Sequence, residues 1–114
     1  MESTRQQKIN KLLQRDLGNI FQLESRNILG TGAMISVTKV TVSRDLSTAH
    51  VYLSLFATDD KEGLMKSINK KKKEFRTLLG KKIRHQLRIV PELIFTLDDS
   101  LDYIENIENL LKED

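Results

Sequence analysis

The chain has 114 residues and a net charge of +3, with 39% hydrophobic and 31% charged residues. That length predicts a single domain over residues 1–114 with one two-layer core, and the composition excludes collagen-like, low-complexity and wholly disordered classes. With no cysteine, disulfides, thiolate catalysis and cysteine-based zinc sites are excluded together.

No apolar run approaches the ~18 residues of a membrane span. The start of the chain, Met1 to Leu13, is polar and lacks the apolar stretch of a secretory signal. A cytoplasmic protein is the expectation.

The first predicted element is a helix from Ser3 to Ser25. Ile9, Leu12, Leu13, Leu17, Ile20 and Phe21 recur at three- and four-residue steps and form one apolar stripe. Ser3 with Gln6, or Thr4 with Gln7, fits a capping box. Arg5, Lys8, Lys11 and Arg15 fall on the polar side, and Gly30-Thr31-Gly32 breaks the chain.

Two strands follow, Met34 to Val42 and His50 to Phe56, both rich in β-branched residues. In the second, Ala49, Val51, Leu53 and Leu55 alternate with His50, Tyr52, Ser54 and Phe56. The first set predicts a face under helices and the second a barer face. In the first strand the apolar phase shifts from Ile35 and Val37 to Val40 and Val42, which predicts a β-bulge near Thr38 or Lys39. The short link Ser43-Arg44-Asp45-Leu46-Ser47 predicts an antiparallel hairpin.

Helical period returns from Asp60 to Leu87, marked by Leu64, Ile68, Phe75, Leu79 and Ile83. The stripe fails once: positions 71 and 72 carry lysine, inside the run Lys70-Lys71-Lys72-Lys73. Either those stems lie along the core edge and snorkel, or the helix changes direction there and turns Lys72 outward. Gly80 is a second weak point. Pro91 ends the region. Leu93, Phe95 and Leu97 then alternate as a third strand. Asp98-Asp99-Ser100 supplies caps for a last helix marked by Leu101, Ile104, Ile107, Leu110 and Leu111.

Charge is unevenly spread along this order. Residues 1–60 are nearly balanced, 61–91 hold eleven Lys/Arg against two Asp/Glu, and 92–114 hold one Lys against eight Asp/Glu. Such asymmetry points to a polyanion partner. Lys66, Lys70, Lys71, Lys72, Lys73, Arg76, Lys81, Lys82, Arg84 and Arg88 can neutralise phosphates without reading bases. Arg5, Lys8 and Arg44 are candidate helpers. With two tyrosines, four phenylalanines and no tryptophan, backbone and shape recognition is favoured over base stacking.

Catalytic signals are absent. His50 and His85 fall on different elements, and no phosphate-binding glycine loop or Gly-x-Ser-x-Gly elbow occurs. Asp98, Asp99 and Asp102 could gather magnesium, but acidic residues at a helix start are favoured by its dipole without any metal. The expectation is a protein that is not an enzyme, with no cofactor, no metal and no small-molecule substrate.

Specific words then appear. Val40-Thr41-Val42-Ser43-Arg44-Asp45-Leu46-Ser47-Thr48-Ala49-His50-Val51-Tyr52-Leu53-Ser54 resembles the central hairpin of the ribosome-binding factor A family. Leu87-Arg88-Ile89-Val90-Pro91-Glu92-Leu93-Ile94-Phe95, followed by Asp98-Asp99-Ser100-Leu101, resembles that family's second block. The resemblance implies an α+β, type II KH-like fold: three strands covered on one face by helices, in the order α-β-β-α-β-α. It implies a monomeric cytoplasmic factor that binds the free small ribosomal subunit and its rRNA late in maturation. Processing of the rRNA 5′ end and growth in the cold come with it.

The Gly-x-x-Gly loop of ordinary KH domains is missing, as is usual in this family. The family's small-x-Gly kink in the long helix falls here on Lys71-Lys72-Lys73, where the stripe fails, and this favours the bend. The competing reading is a protein-interaction module that docks a basic partner through the acidic last helix or the open sheet face.

Overall fold

The computed structural model describes residues 2–98. The helix expected over Leu101–Leu111, with Asp99 and Asp102, lies outside the described residues. Within them the order is α1 (Thr4–Leu29), β1 (Met34–Val42), β2 (Thr48–Phe56), α2 (Lys61–Lys70), α3 (Lys72–Ile83) and β3 (Glu92–Leu97). No helix among them is long and apolar enough to cross a membrane.

The start of α1 is sealed by the capping box: Ser3 Oγ accepts from the Gln6 amide, and Gln6 Oε1 accepts from the Ser3 amide. Its end runs four residues past the expected Ser25, to a left-handed Gly30 (φ 64°) whose amide donates to the Arg26 carbonyl. A glycine there reaches positive φ without the clash a Cβ would bring. After Phe21 the buried Ser25 interrupts the apolar stripe, which resumes with Ile28 and Leu29 against the core just before the cap.

The sheet order is β1-β2-β3, with β1 antiparallel and β3 parallel to the central β2. The register shifts between Val37 and Lys39, at the expected bulge. The extra residue restores inward phase, so Ile35, Val40 and Val42 are all buried. Ala49, Val51, Leu53 and Leu55 of β2 are also buried and face the helices. His50 is exposed, while Tyr52 and Phe56 are half-buried on the opposite face. Ser54 on that face is buried, against expectation.

Three aromatic rings tie the layers together. Phe21 of α1, Phe75 of α3 and Phe95 of β3 pack with centroids 4.5, 5.8 and 6.3 Å apart, within the range where tilted and edge-on pairs gain beyond area burial. The segment before β3 is clamped to α3. Arg76 donates to the Val90 and Pro91 carbonyls at 2.7 and 3.2 Å, and a Cβ on Gly80 would stand 3.0 Å from Val90 Cγ2. Gly80 is therefore no break in the helix. It is where the 84–91 segment comes close.

The long helix does change direction in the lysine run. Helix α2 ends at Lys70, and Lys71 leaves helical geometry (φ −100°, ψ 15°) with its amide shared between the Ser67 and Ile68 carbonyls at 3.1 Å each. Its carbonyl then opens α3 by accepting from Glu74 and Phe75. One expectation is corrected. The bend does not turn Lys72 outward: Lys72 is half-buried. It sits three residues before Phe75, in line with the buried Phe75, Leu79 and Ile83 of α3. Both alternatives hold in part, a bend at Lys71 and a snorkelling stem at Lys72.

Candidate nucleic-acid interface

Of the thirteen candidate cations, all but Lys72 are exposed. The core faces of α2 and α3 are taken by Leu64, Ile68, Phe75, Leu79 and Ile83, so Lys66, Lys70, Lys73 and Lys81 fall on the opposite side by helical spacing. Three candidates have partners within the described residues. Lys71 Nζ lies 3.4 Å from Glu74 Oε1, Arg84 Nε donates to His85 Nε2 at 3.3 Å, and Arg76 holds the carbonyls before β3. Arg76 is thus committed to the fold, Lys71 and Arg84 have exposed neighbours as partners, and apart from the half-buried Lys72 the others are exposed without a side-chain partner among the described residues.

The bend interrupts the helical ladder at Lys71, where the end of α2 meets the start of α3, so the opposite ends of the two helix dipoles largely offset each other there. The first amides of a helix have no partner inside it, and its dipole places partial positive charge there. At the start of α2, Asp60 supplies a carboxylate that accepts from the Gly63 amide. At the start of α3 no side chain caps the amides, and its first turn holds Glu74, paired with Lys71, beside Lys70, Lys72 and Lys73. The positive potential at the bend comes from these lysine ammonium groups, which can neutralise phosphate.

The candidates do not form one patch. Lys73 lines a shallow apolar pocket with Glu24 and Ile28, near the end of α1. Arg5 and Lys8 lie at the opposite end of α1, beside the hairpin turn, because Gln6 Nε2 donates to the Val42 carbonyl. From position 8 to position 24 a helix rises about 24 Å. Lys81, Lys82, Arg84 and Arg88 lead along α3 and the following segment towards β3. There the Glu92 amide donates to the Ser47 carbonyl of the hairpin turn at 2.8 Å. The charges therefore follow a path along the molecule, an arrangement suited to a backbone rather than to a single anion.

The hairpin turn presents its own cation. Asp45 Oδ1 accepts from the Ser43 and Ser47 hydroxyls at 2.7 Å each and from the Ser47 amide at 3.1 Å. These bonds, the Ser43 hydroxyl first, hold the Asp45 carboxyl down from 3.8 to about 2. With the carboxylate engaged by serines, the neighbouring Arg44 is exposed and unpaired among the described residues.

Asp98 accepts from the Thr38 hydroxyl at 2.6 Å, an internal use of one carboxylate in the acidic cluster considered for magnesium. Missed by the sequence reading was Arg26, which lies with Lys11 and Arg15 along a groove between α1 and β1. Helical periodicity separates the core face from the rest but does not say where a strand edge will lie.

Comparison with known proteins agrees with this architecture. The family model described as ribosome-binding factor A matches residues 5–111. A ribosome-binding factor A of Cytophaga hutchinsonii is 45% identical over 113 residues, covering 99% of this chain and 84% of the relative. The crystal structure of ribosome-binding factor A from Thermus thermophilus superposes with a TM-score of 0.67 at 22% identity, over 81% of this chain and 94% of that one. A T. thermophilus structure fitted, as a homology model, into a cryo-EM map of a 30S–RbfA complex gives a TM-score of 0.63 at 23% identity, over 79% and 91% of the two chains. The shared fold is α+β and KH-like.

Proposed function

The chain belongs to the ribosome-binding factor A family, and on that basis we propose that it binds free small ribosomal subunits through their rRNA backbone, late in subunit maturation. The observation that carries the reading is the run of exposed cations along α2 and α3, densest at the bend, where Lys70, Lys71 and Lys73 are all exposed. The 30S complex of the Thermus relative supports the choice of particle. Lys66, Lys70, Lys71, Lys72, Lys73, Lys81, Lys82, Arg84 and Arg88 contact phosphates along the path. Arg5, Lys8 and Arg44 extend it at the hairpin end. Arg76 acts mainly by holding the Val90–Pro91 carbonyls. Support of rRNA 5′-end processing and of growth in the cold belongs to the same proposal, as do a cytoplasmic location and a monomeric, non-enzymatic mode of action.

The test is co-sedimentation with separated small, large and joined ribosomal particles over a range of salt. Binding is expected to free small subunits in preference to the others. With about four to six phosphates contacted, log K against log salt falls with a slope of roughly −3 to −5. A flat salt response, or equal affinity for large subunits, refutes the reading. The flat response is what apolar docking of a protein partner would give.

A further inference from the structure

Strand β1 is an edge strand, and α1 covers only part of that edge. Gln6, Asn10 and Gln14 are spaced four apart and fall on one side of α1. Gln6 Nε2 donates to the Val42 carbonyl, and the Val42 amide donates to Asn10 Oδ1 at 2.9 Å. Gln14 Nε2 reaches the Val37 and Thr38 carbonyls at 3.4 and 3.3 Å. This row of amides bonds the edge at Val42 and at Val37–Thr38, a common protection against unwanted strand pairing.

The next member of the row is Gly18, and there the cover stops. A Cβ built on Gly18 meets nothing within 4 Å. Opposite it is the first half of β1. In an antiparallel ladder, successive residues aim their amide and carbonyl alternately towards and away from the partner strand. On β2 the Ser47 and Leu53 carbonyls receive amides from Glu92 and Asp98, so odd-numbered residues there face β3. Ile35 pairs with the odd-numbered Leu55. Its amide and carbonyl therefore point to the free edge, beside Gly18, and so does the Val37 amide.

Gly18, Ile35 and Val37 line a groove of about 940 Å³. Its cations are Lys11, Arg26 and Arg15, whose Nε already donates to Asp16 Oδ1 at 3.2 Å while the rest of its exposed guanidinium stays open; no Asp or Glu lines the groove among the described residues. Two large exposed apolar side chains, Leu23 (68%) and Met34 (65%), also line it. Among the described residues the groove thus combines an unpaired strand edge, an apolar rim and a lining without carboxylates, the elements of recognition by strand addition.

We propose that this groove is a second docking surface, which takes an extended acidic segment of a protein partner as an added strand along Ile35–Val37. Main-chain bonds to Ile35 and Val37 hold the segment, Leu23 and Met34 receive its apolar side chains, and Lys11, Arg15 and Arg26 its carboxylates. Nucleic acid is the weaker fit, because the outward amides and carbonyl repeat at strand spacing, which matches a peptide backbone. The surface is independent of the lysine path on α2 and α3.

The test is NMR titration of the full-length chain with a blocked peptide of alternating glutamate and valine, about eight residues long. Its lysine counterpart and an oligouridine are run beside it. The glutamate peptide is expected to shift the Ile35 and Val37 amides, slow their exchange and saturate at or below about 1 mM, while the lysine peptide does not bind. Gly18→Gln extends the covering row. It is expected to weaken the glutamate peptide at least about tenfold with an equal or higher Tm, since glycine disfavours a helix interior. Arg15→Glu with Arg26→Glu is expected to weaken it as well. The proposal is overturned if oligouridine shifts these amides at lower concentration than the peptide does. It is overturned equally if Ile35 exchanges slowly in the unbound chain, which means a segment of the chain itself fills the groove, or if both variants bind the peptide unchanged.

Discussion

Helix α1 and the α2–α3 pair are both amphipathic and both rich in polar side chains, yet they use those side chains in opposite ways. In α1 both ends are sealed, and Gln6, Asn10 and Gln14 are bonded to the backbone of β1. In α2–α3 the helix breaks at Lys71, α3 starts without a cap, and most of the cations have no partner among the described residues. A polar group that serves the fold has found its partner in the fold. One left open beside like charges raises the energy of the isolated molecule, and a polyanion relieves it.

The most severe test of this contrast asks whether α3 is held by its core face alone. Phe75→Ala empties the centre of the aromatic cluster and is expected to cost about 3–5 kcal/mol, measured by chemical denaturation. A loss below about 1 kcal/mol would mean that α3 is anchored elsewhere.

Reversing Lys70, Lys73 and Lys81 to glutamate tests the other half. All three are exposed and without an ion pair among the described residues, so stability is expected to move by no more than ~0.5 kcal/mol for each. Affinity for small subunits is expected to fall about tenfold to a hundredfold, ~1.4–2.8 kcal/mol. Full binding by the folded triple variant would place the RNA surface on another part of the molecule.

Lys72 lies on the boundary between the two uses. Its half-buried stem is in line with Phe75, so Lys72→Leu buries more apolar surface, at ~25 cal/mol per Å². A gain of about 0.5 kcal/mol corresponds to a Tm rise of roughly 2–4 °C in a domain this size, accompanied by a modest loss of subunit affinity. An unchanged Tm in a scanning-calorimetry trace would show the stem already free of the core.

The smallest effect concerns pH at the hairpin turn. The Asp45 carboxyl titrates at about 2 rather than 3.8. Its stabilising contribution is therefore present above pH 3.8 and is lost as pH falls through about 2. Carbon-detected NMR titration should find that midpoint, and Ser43→Ala should raise it. A midpoint near 3.8 in the unaltered chain would show that the serine bonds do not persist in solution.

The elements were legible in the order of amino acids, because period and punctuation are local. The stripe Ile9 to Phe21 named α1, alternation named β2 and β3, and a shift of apolar phase located the bulge to within a residue. The same reading marked the lysine run as the place where the long helix falters, and the cations as candidates. Which of those charges are open was settled only by packing. Arg76 looks like its neighbours in sequence, and only the approach of Val90 and Pro91 to α3 gives its guanidinium two carbonyls. Lys72 lies in line with Phe75 although the helix has broken one residue earlier. Gly80, read as a weak point, is where Val90 of the 84–91 segment packs against α3 with little room for a side chain. The open edge at Ile35 depends on which strands pair and on what α1 carries opposite them. Helical period is set by backbone geometry within a few residues, whereas partnering depends on contacts between segments tens of residues apart.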